Sequence, residues 1–402
     1  MSSKWPVANR ESQVASASHS PLATPPARPL LIMAGGPGGP VMPALAVAEA
    51  LRGDGWRVVW LGTRAGMEAK LAVEKGFQMA WVRVAGVRGK GLLTKLLLPL
   101  NLLAAFWQAA RAIFRERPDI ALGLGGYVAF PGGMMASLFG KPLVIHEQNA
   151  IAGLTNRLLA VVADRVLLGL PQEMMGEGNK VKDRSRGHSS PFSFLPSLAK
   201  GEWVGNPIRP EIAALPAPEQ RLVERSGPLR LLVVGGSLGA QALNELIPQA
   251  LARLKPELRP HVRHQSGAKH LAALQANYAA AGVAAECMPF ISDMADAYAW
   301  SDVVICRAGA LTVAEVAAAG AAALFVPFPY AVDDHQTANA RFLSDAGAAW
   351  LMPQSSLDAA DLADWLASLD RAELLIRAGK ARKFAKPEAT MRVADICKES
   401  VQ

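Results

Sequence analysis

Leu31-Ile32-Met33-Ala34-Gly35-Gly36-Pro37-Gly38-Gly39 and Leu231-Leu232-Val233-Val234-Gly235-Gly236-Ser237-Leu238-Gly239-Ala240 each run an apolar strand into a glycine turn and then into helical sequence. Glycine lets the backbone turn sharply and approach a ligand closely, and the helix that follows offers free N–H groups and a positive dipole end to an anion. One such loop is a weak signal. Two of them, in a chain of 402 residues, predict two doubly wound domains facing each other across a cleft. That arrangement suits a nucleotide-bearing donor opposite a phosphate-bearing acceptor.

The length exceeds what one hydrophobic core usually organises. Hydrophobic residues make up 51% of the chain and charged residues 19%, yet apolar runs are too short to predict a membrane-spanning helix. Cys287, Cys306 and Cys397 are scattered, which predicts neither a disulfide framework nor a zinc site and fits a reducing cytoplasm. Residues 1–28, rich in Ser, Ala and Pro, read as a disordered tail.

The net charge of +8 matters less than its placement. From Lys75 to Arg115 there is no acidic residue, while Arg83, Arg88, Lys90, Lys95 and Arg111 accompany Leu92, Leu93, Leu96 to Leu98, Leu100, Leu102, Leu103, Phe106 and Trp107. An apolar patch flanked by cations and interrupted by Pro99 suits an anionic membrane surface. A buried helix with solvated ends is the other reading. Aromatic interleaving is too sparse for single-stranded nucleic acid, so no nucleic-acid partner is expected.

Short apolar strands are predicted at Leu30 to Ala34, Val58 to Leu61, Ile120 to Leu124, Leu143 to His146 and Val166 to Leu168. The second half repeats the pattern at Leu231 to Val234, Val262 to Gln265, Val303 to Cys306 and Ala323 to Val326. Helices are expected between them, one starting near Pro43 and another over Leu311 to Ala319. Alternation of this kind is α/β, with parallel sheets covered by helices. It divides the chain into a first domain over 29–170, an insertion or linker over 171–201 and a second domain over 202–384. A final helix near 385–402 is expected to cross back to the first domain.

Functional candidates gather where strands end. Gly125, Gly126 and Tyr127 follow one strand, and the polar quartet His146-Glu147-Gln148-Asn149 follows the next and does not read as core. In the second half Arg307-Ala308-Gly309-Ala310-Leu311-Thr312 leads into a helix bearing Glu315. That carboxylate suits the two hydroxyls of a ribose, or simply the dipole of its own helix. Asp333-Asp334 reads as a solvated loop, and no metal or other cofactor is expected.

These segments, together with Ala152-Gly153-Leu154-Thr155-Asn156, Val204-Gly205-Asn206-Pro207-Ile208-Arg209, His264-Gln265-Ser266-Gly267 and Asp333-Asp334-His335-Gln336 with Asn339-Ala340, resemble in order and spacing the MurG family of peptidoglycan glycosyltransferases. The resemblance runs from about Pro29 to beyond Gly347. It implies a GT-B fold, two Rossmann-like domains with the donor UDP-GlcNAc in the C-terminal one and an undecaprenyl-linked lipid acceptor in the N-terminal one. By that likeness Ser237 meets the donor diphosphate, Ile291 and Arg209 lie near the uracil, and Glu315 holds the ribose. Ala310, Leu311 and Thr312 line the same pocket, while Gln336 and Asn339 orient the sugar hydroxyls. Pro37, Gly38, Gly39, Gly125, Gly126, Tyr127 and Asn149 fall on the acceptor side and its glycine loop. The basic apolar stretch 83–107 matches the family's docking surface on the cytoplasmic face of the inner membrane, where contact with other cell-wall synthesis proteins is also expected.

The implied chemistry is a single inverting displacement, in which one base takes the proton of the acceptor 4-hydroxyl as the diphosphate leaves. The family usually places histidine at the end of the first glycine loop, and here the position is Pro40, which carries no proton acceptor. Either His146 or Glu147 serves as base, or the chain binds both ligands and turns over slowly as a recruitment protein.

Overall fold

The computed structural model describes residues 27–36, 39–84, 98–171, 198, 201–236 and 239–401. The insertion over 171–201 and the tail over 1–28 therefore lie almost wholly outside the described residues. So do Pro37, Gly38 and Ser237.

Period-two alternation in the apolar runs builds the first sheet. Leu30, Ile32 and Ala34 point into one core cluster, and Leu31 and Met33 into another on the opposite face. Val58 and Trp60 likewise oppose Val59 and Leu61. Strands that bury both faces must be covered by helices on both sides, which is the condition of a parallel sheet. The described strands β1 (Pro29–Ala34), β2 (Arg57–Gly62), β3 (Gln78–Trp81), β4 (Ile120–Gly125), β5 (Leu143–Glu147), β6 (Arg165–Leu168) and β7 (Glu202–Trp203) are all parallel, in the order β3-β2-β1-β4-β5-β6-β7.

The second sheet repeats the plan with β8 (Arg230–Val234), β9 (His261–Gln265), β10 (Glu286–Met288), β11 (Val303–Cys306), β12 (Ala322–Phe325) and β13 (Trp350–Leu351), ordered β10-β9-β8-β11-β12-β13. Leu231, Val233, Val303 and Ile305 face one cluster, and Leu232, Val234, Val304 and Cys306 the other. The outer strands β3, β7, β10 and β13 are absent from the sequence reading. Each is short and none of their residues is fully buried, so they lack the continuous apolar run that marks a central strand. The helix after the first glycine loop spans Val41–Gly53, earlier than the start expected from Pro43, with Pro40 at its N-cap.

The final helix, Ala389–Glu399, lies on the first domain. Val393, Ala394, Ile396 and Cys397 enter the same core cluster as Leu30 and Val41, and Lys398 Nζ reaches Asp54 at 2.7 Å. Helix Leu98–Glu116 turns Ala105, Ala109, Ala112 and Ile113 to the core and leaves Leu100, Leu103, Trp107 and Phe114 exposed along one stripe. The inner face of the helix is core, as the buried-helix reading expects, and its outer face is exposed and apolar. Residues 85–97 of the basic stretch lie outside the described residues. Among the described residues no helix is long and apolar enough to cross a membrane.

Candidate active site

In each sheet the chain reverses its direction of growth beside the first strand, between β1 and β4 and between β8 and β11. Such switch points open a crevice at the C-terminal strand ends, where ligands of α/β folds bind. Both glycine loops sit there, each at the end of the first strand of its sheet.

On the first-domain side, Gly125 and Gly126 adopt φ of 103° and 83°. A Cβ on Gly126 would stand 2.1 Å from the carbonyl oxygen of Gly35, so the β4 loop and the first glycine loop touch backbone to backbone. Tyr127 beyond them is half exposed. Gly39 is exposed, and Pro40 caps the helix through its backbone alone.

His146, Glu147 and Gln148, expected outside the core, are buried. Their polar atoms satisfy one another and the loops around them, which removes the penalty that the sequence reading assumed. His146 Nε2–H donates to the Gly205 carbonyl at 2.9 Å, and Gln148 Nε2 donates to His146 Nδ1 at 3.0 Å. With no exposure and both nitrogens bonded, the ring offers no lone pair to an acceptor hydroxyl. Burial pushes its pKa down to about 4. Glu147 accepts four N–H bonds, from Asn149 N and Nδ2, Gly153 N and Asn156 Nδ2, at 2.9 to 3.3 Å. Burial raises its pKa against the opposing pull of those donors. The carboxylate shapes the loop from Asn149 to Gly153.

Asn339, expected on the donor sugar, has no exposure and a fully engaged amide. Its Oδ1 accepts from Ala150 N at 2.8 Å, and its Nδ2 donates to Asn149 Oδ1 at 3.2 Å and to Ala308 O at 3.1 Å. In this arrangement it is a strut between the domains, tying the acceptor-side loop to the approach of helix Ala310–Ala319. Gln336 is partly exposed; its Oε1 accepts from Phe328 N at 2.9 Å.

Arg209 donates through Nε and Nη2 to Glu315 Oε1 at 3.1 and 2.8 Å, and the Tyr298 hydroxyl faces Oε2 at 3.5 Å. Burial raises the Glu315 pKa and Arg209 opposes it. Ile291 packs beside this helix in one cluster with Ala308 and Val313. Gly309 caps the helix without a side-chain bond, so the N–H groups around Ala310, Leu311 and Thr312 face the crevice without a capping side chain.

Several residues acquire roles that the sequence reading did not assign. Gln265 clasps the second glycine loop, accepting from Gly235 N at 3.1 Å and donating to Gly236 O at 2.9 Å. His264 sets the level of that clasp. Its Nε2–H donates to Asn244 Oδ1 at 3.1 Å, its Nδ1 accepts from the Tyr278 hydroxyl at 2.9 Å, and Asn244 Nδ2 donates to Ser266 O. Arg307 is buried against the carbonyls of Val326 and Pro327 and Gln354 Oε1. A polar residue directly after the apolar strand Val303–Cys306 was the available signal for Arg307; Gln265 ends a mostly polar strand and was marked only by its place in the resemblance, and nothing local marks Asn244.

The histidine burial has a pH signature. His264 is pushed down to about 3, so the unfolded chain takes this proton below pH 6.5 and the folded chain only near 3. Stability is therefore lost as pH falls through that window, by about 1.4 kcal/mol per unit below 6. Buried Glu147 and Glu315, whose pKa values are raised, act in the opposite direction. The expected outcome for His264→Gln is a shallower fall in second-domain stability between pH 6 and 4, by about one proton's slope, in urea unfolding followed at each pH.

Two Rossmann-like domains with glycine loops at facing switch points, bridged by Asn339, define a GT-B glycosyltransferase. Residues 30–168 match the glycosyltransferase family 28 N-terminal domain and residues 230–399 the family 28 C-terminal domain. The chain belongs to glycosyltransferase family 28. It is 60% identical over 373 residues, 92% of this chain and 96% of the relative, to the UDP-N-acetylglucosamine--N-acetylmuramyl-(pentapeptide) pyrophosphoryl-undecaprenol N-acetylglucosamine transferase of Ralstonia nicotianae. The transferase of the same name from Cupriavidus metallidurans is 59% identical, over 93% of this chain and 98% of that protein. The crystal structure of Acinetobacter baumannii MurG superposes with a TM-score of 0.77 at 41% identity, covering 92% of this chain and 99% of that one.

Proposed function

We propose that this protein transfers GlcNAc from UDP-GlcNAc to the MurNAc 4-hydroxyl of undecaprenyl-pyrophosphoryl-MurNAc-pentapeptide, with inversion, in peptidoglycan synthesis. The observation that carries the reading is the pair of glycine loops at facing switch points, in a chain nearly colinear with relatives named for this reaction. On the donor side, the uncapped start of helix Ala310–Ala319 and the loop containing Ser237 supply N–H groups to the diphosphate, whose charge grows as the glycosidic bond breaks. Glu315 takes the ribose, Ile291 and Arg209 border the uracil, and Gln336 addresses the sugar.

For the base, Glu147 is the better candidate of the two. An incoming hydroxyl need replace only its 3.3 Å bond from Asn149 Nδ2, whereas His146 must break a bond at either nitrogen. Pro40 supports a second reading, a UDP-sugar-binding protein of low turnover. Incubation with labelled UDP-GlcNAc and a short-chain lipid-pyrophosphoryl-MurNAc-pentapeptide, with and without chelator, decides between them. Label appearing on the lipid supports the transferase; donor binding without transfer supports the second reading.

The site of action in this reading is the cytoplasmic face of the inner membrane, held peripherally. Support comes from the exposed stripe Leu100, Leu103, Trp107 and Phe114 beside Arg111 and Arg115. The triple change Leu100→Ser, Leu103→Ser and Trp107→Ser is expected to weaken sedimentation with vesicles containing anionic lipid at least tenfold, about the loss of one fully buried apolar side chain. Donor binding is expected to stay unchanged.

A further inference from the structure

Glu68 is a fully buried carboxylate that belongs to none of the roles above. It stands in the first turn of helix Met67–Glu74, after β2, and its side chain folds back over the turn that precedes the helix. Oε1 accepts from Thr63 N at 3.0 Å and from the Thr63 hydroxyl at 2.8 Å. Oε2 faces Gly36 N, in the first glycine loop, at 3.4 Å. Backbone wraps the group so closely that a Cβ on Gly66 would lie 2.0 Å from Oε2, and one on Gly35 would lie 3.1 Å from Oε1. Among the described residues no Lys, Arg or His pairs with it. A buried carboxylate held only by neutral donors is costly to keep, and an amide of the same shape would avoid most of that cost.

The second domain shows what such a group does. Gln265 stands at the end of β9, which flanks β8 as β2 flanks β1, and it too accepts the N–H of a residue in the glycine loop, Gly235. Glu68 reaches the first loop from the corresponding side of its sheet. The difference is chemical. An amide can accept or donate, whereas a carboxylate only accepts and so permits one orientation of the Gly36 peptide.

Resting on the transferase reading above, we propose that Glu68 is a positioning residue for the acceptor: it fixes the Gly36 peptide at the edge of the crevice, where the acceptor's pyrophosphate is to bind. The donor, bound in the other domain, is indifferent to it.

The test is steady-state kinetics of wild-type protein, Glu68→Gln and Thr63→Val, with UDP-GlcNAc and the short-chain lipid pyrophosphate varied separately and UDP-GlcNAc affinity measured by calorimetry. Glu68→Gln keeps the volume and the Thr63 contacts but turns an NH2 group toward Gly36 N–H. The expected result is an acceptor KM about tenfold higher, with donor KM and UDP-GlcNAc affinity within twofold of wild type. Thr63→Val, which removes one O–H donor and leaves the charge in place, is expected to move acceptor KM the same way by about threefold, and serves alone if the first variant does not fold. Donor and acceptor KM rising together would mark Glu68 as a general stabiliser and overturn the proposal. An unchanged or lower acceptor KM in Glu68→Gln would overturn it too, a lower one meaning that the charge merely repels the pyrophosphate. Wild-type protein that binds UDP-GlcNAc without transferring it refutes the transferase reading itself, and the proposal with it.

Discussion

Gly239→Ala is expected to lower UDP-GlcNAc affinity at least a hundredfold, while Gly236→Ala, in the same loop, lowers it less than tenfold. Both glycines hold left-handed φ, 77° and 84°, so alanine pays a similar backbone strain of roughly 1–2 kcal/mol at each. Space separates them. A Cβ on Gly236 meets nothing within 4 Å, but one on Gly239 would stand 2.1 Å from Ser266 O and 3.1 Å from Gly267 Cα. Ser266 cannot withdraw, because Asn244 Nδ2 donates to its carbonyl and Asn244 is itself held by His264. The glycine loop must therefore move, and with it the N–H groups proposed to meet the donor diphosphate. A hundredfold corresponds to about 2.7 kcal/mol, the scale of one lost anion-stabilising donor. Calorimetric titration of the two variants checks this. Equal losses would mean that φ strain alone governs the loop.

The second large effect concerns Arg209 and Glu315, and the two partners are not equivalent. The Arg209 side chain is 33% exposed and that of Glu315 12%. With Glu315→Ala the guanidinium returns to water at small cost, and the expected loss of second-domain stability is about 1 kcal/mol. With Arg209→Ala a buried carboxylate keeps only the distant Tyr298 hydroxyl, and the loss is expected near 3 kcal/mol. Donor binding is expected to reverse that order. Glu315→Ala removes the group proposed to hold the ribose and is expected to cost about a hundredfold in UDP-GlcNAc affinity, while Arg209→Ala costs about tenfold. Urea unfolding of the second domain and donor titration measure the two quantities independently. Matching orders in both would show that the pair acts only as a structural bridge.

The central strands were legible because Leu30 to Ala34 and Leu231 to Val234 have no alternative to double-sided burial. The outer strands were not, since two or three half-buried residues carry no period. The quartet at 146–149 was recognised as special, but His146, Glu147 and Gln148 were misjudged as outside the core, because local sequence does not show that Gly205, Gly153 and Asn156 arrive to bond them. Asn339 was singled out for its amide, and the contacts of that amide with Asn149 and Ala150, far away in sequence, were invisible until the domains were placed.

By itself, the sequence determined the α/β class, its two parallel sheets and the glycine loops at the strand ends, since strand burial and glycine turns are local matters of side-chain size and backbone freedom. The tertiary structure alone decided which polar groups remain available for chemistry. Availability depends on partners supplied from far along the chain: Gly205 silences the His146 ring, Asn149 and Ala150 of the other domain occupy Asn339, and Arg209 pairs with Glu315.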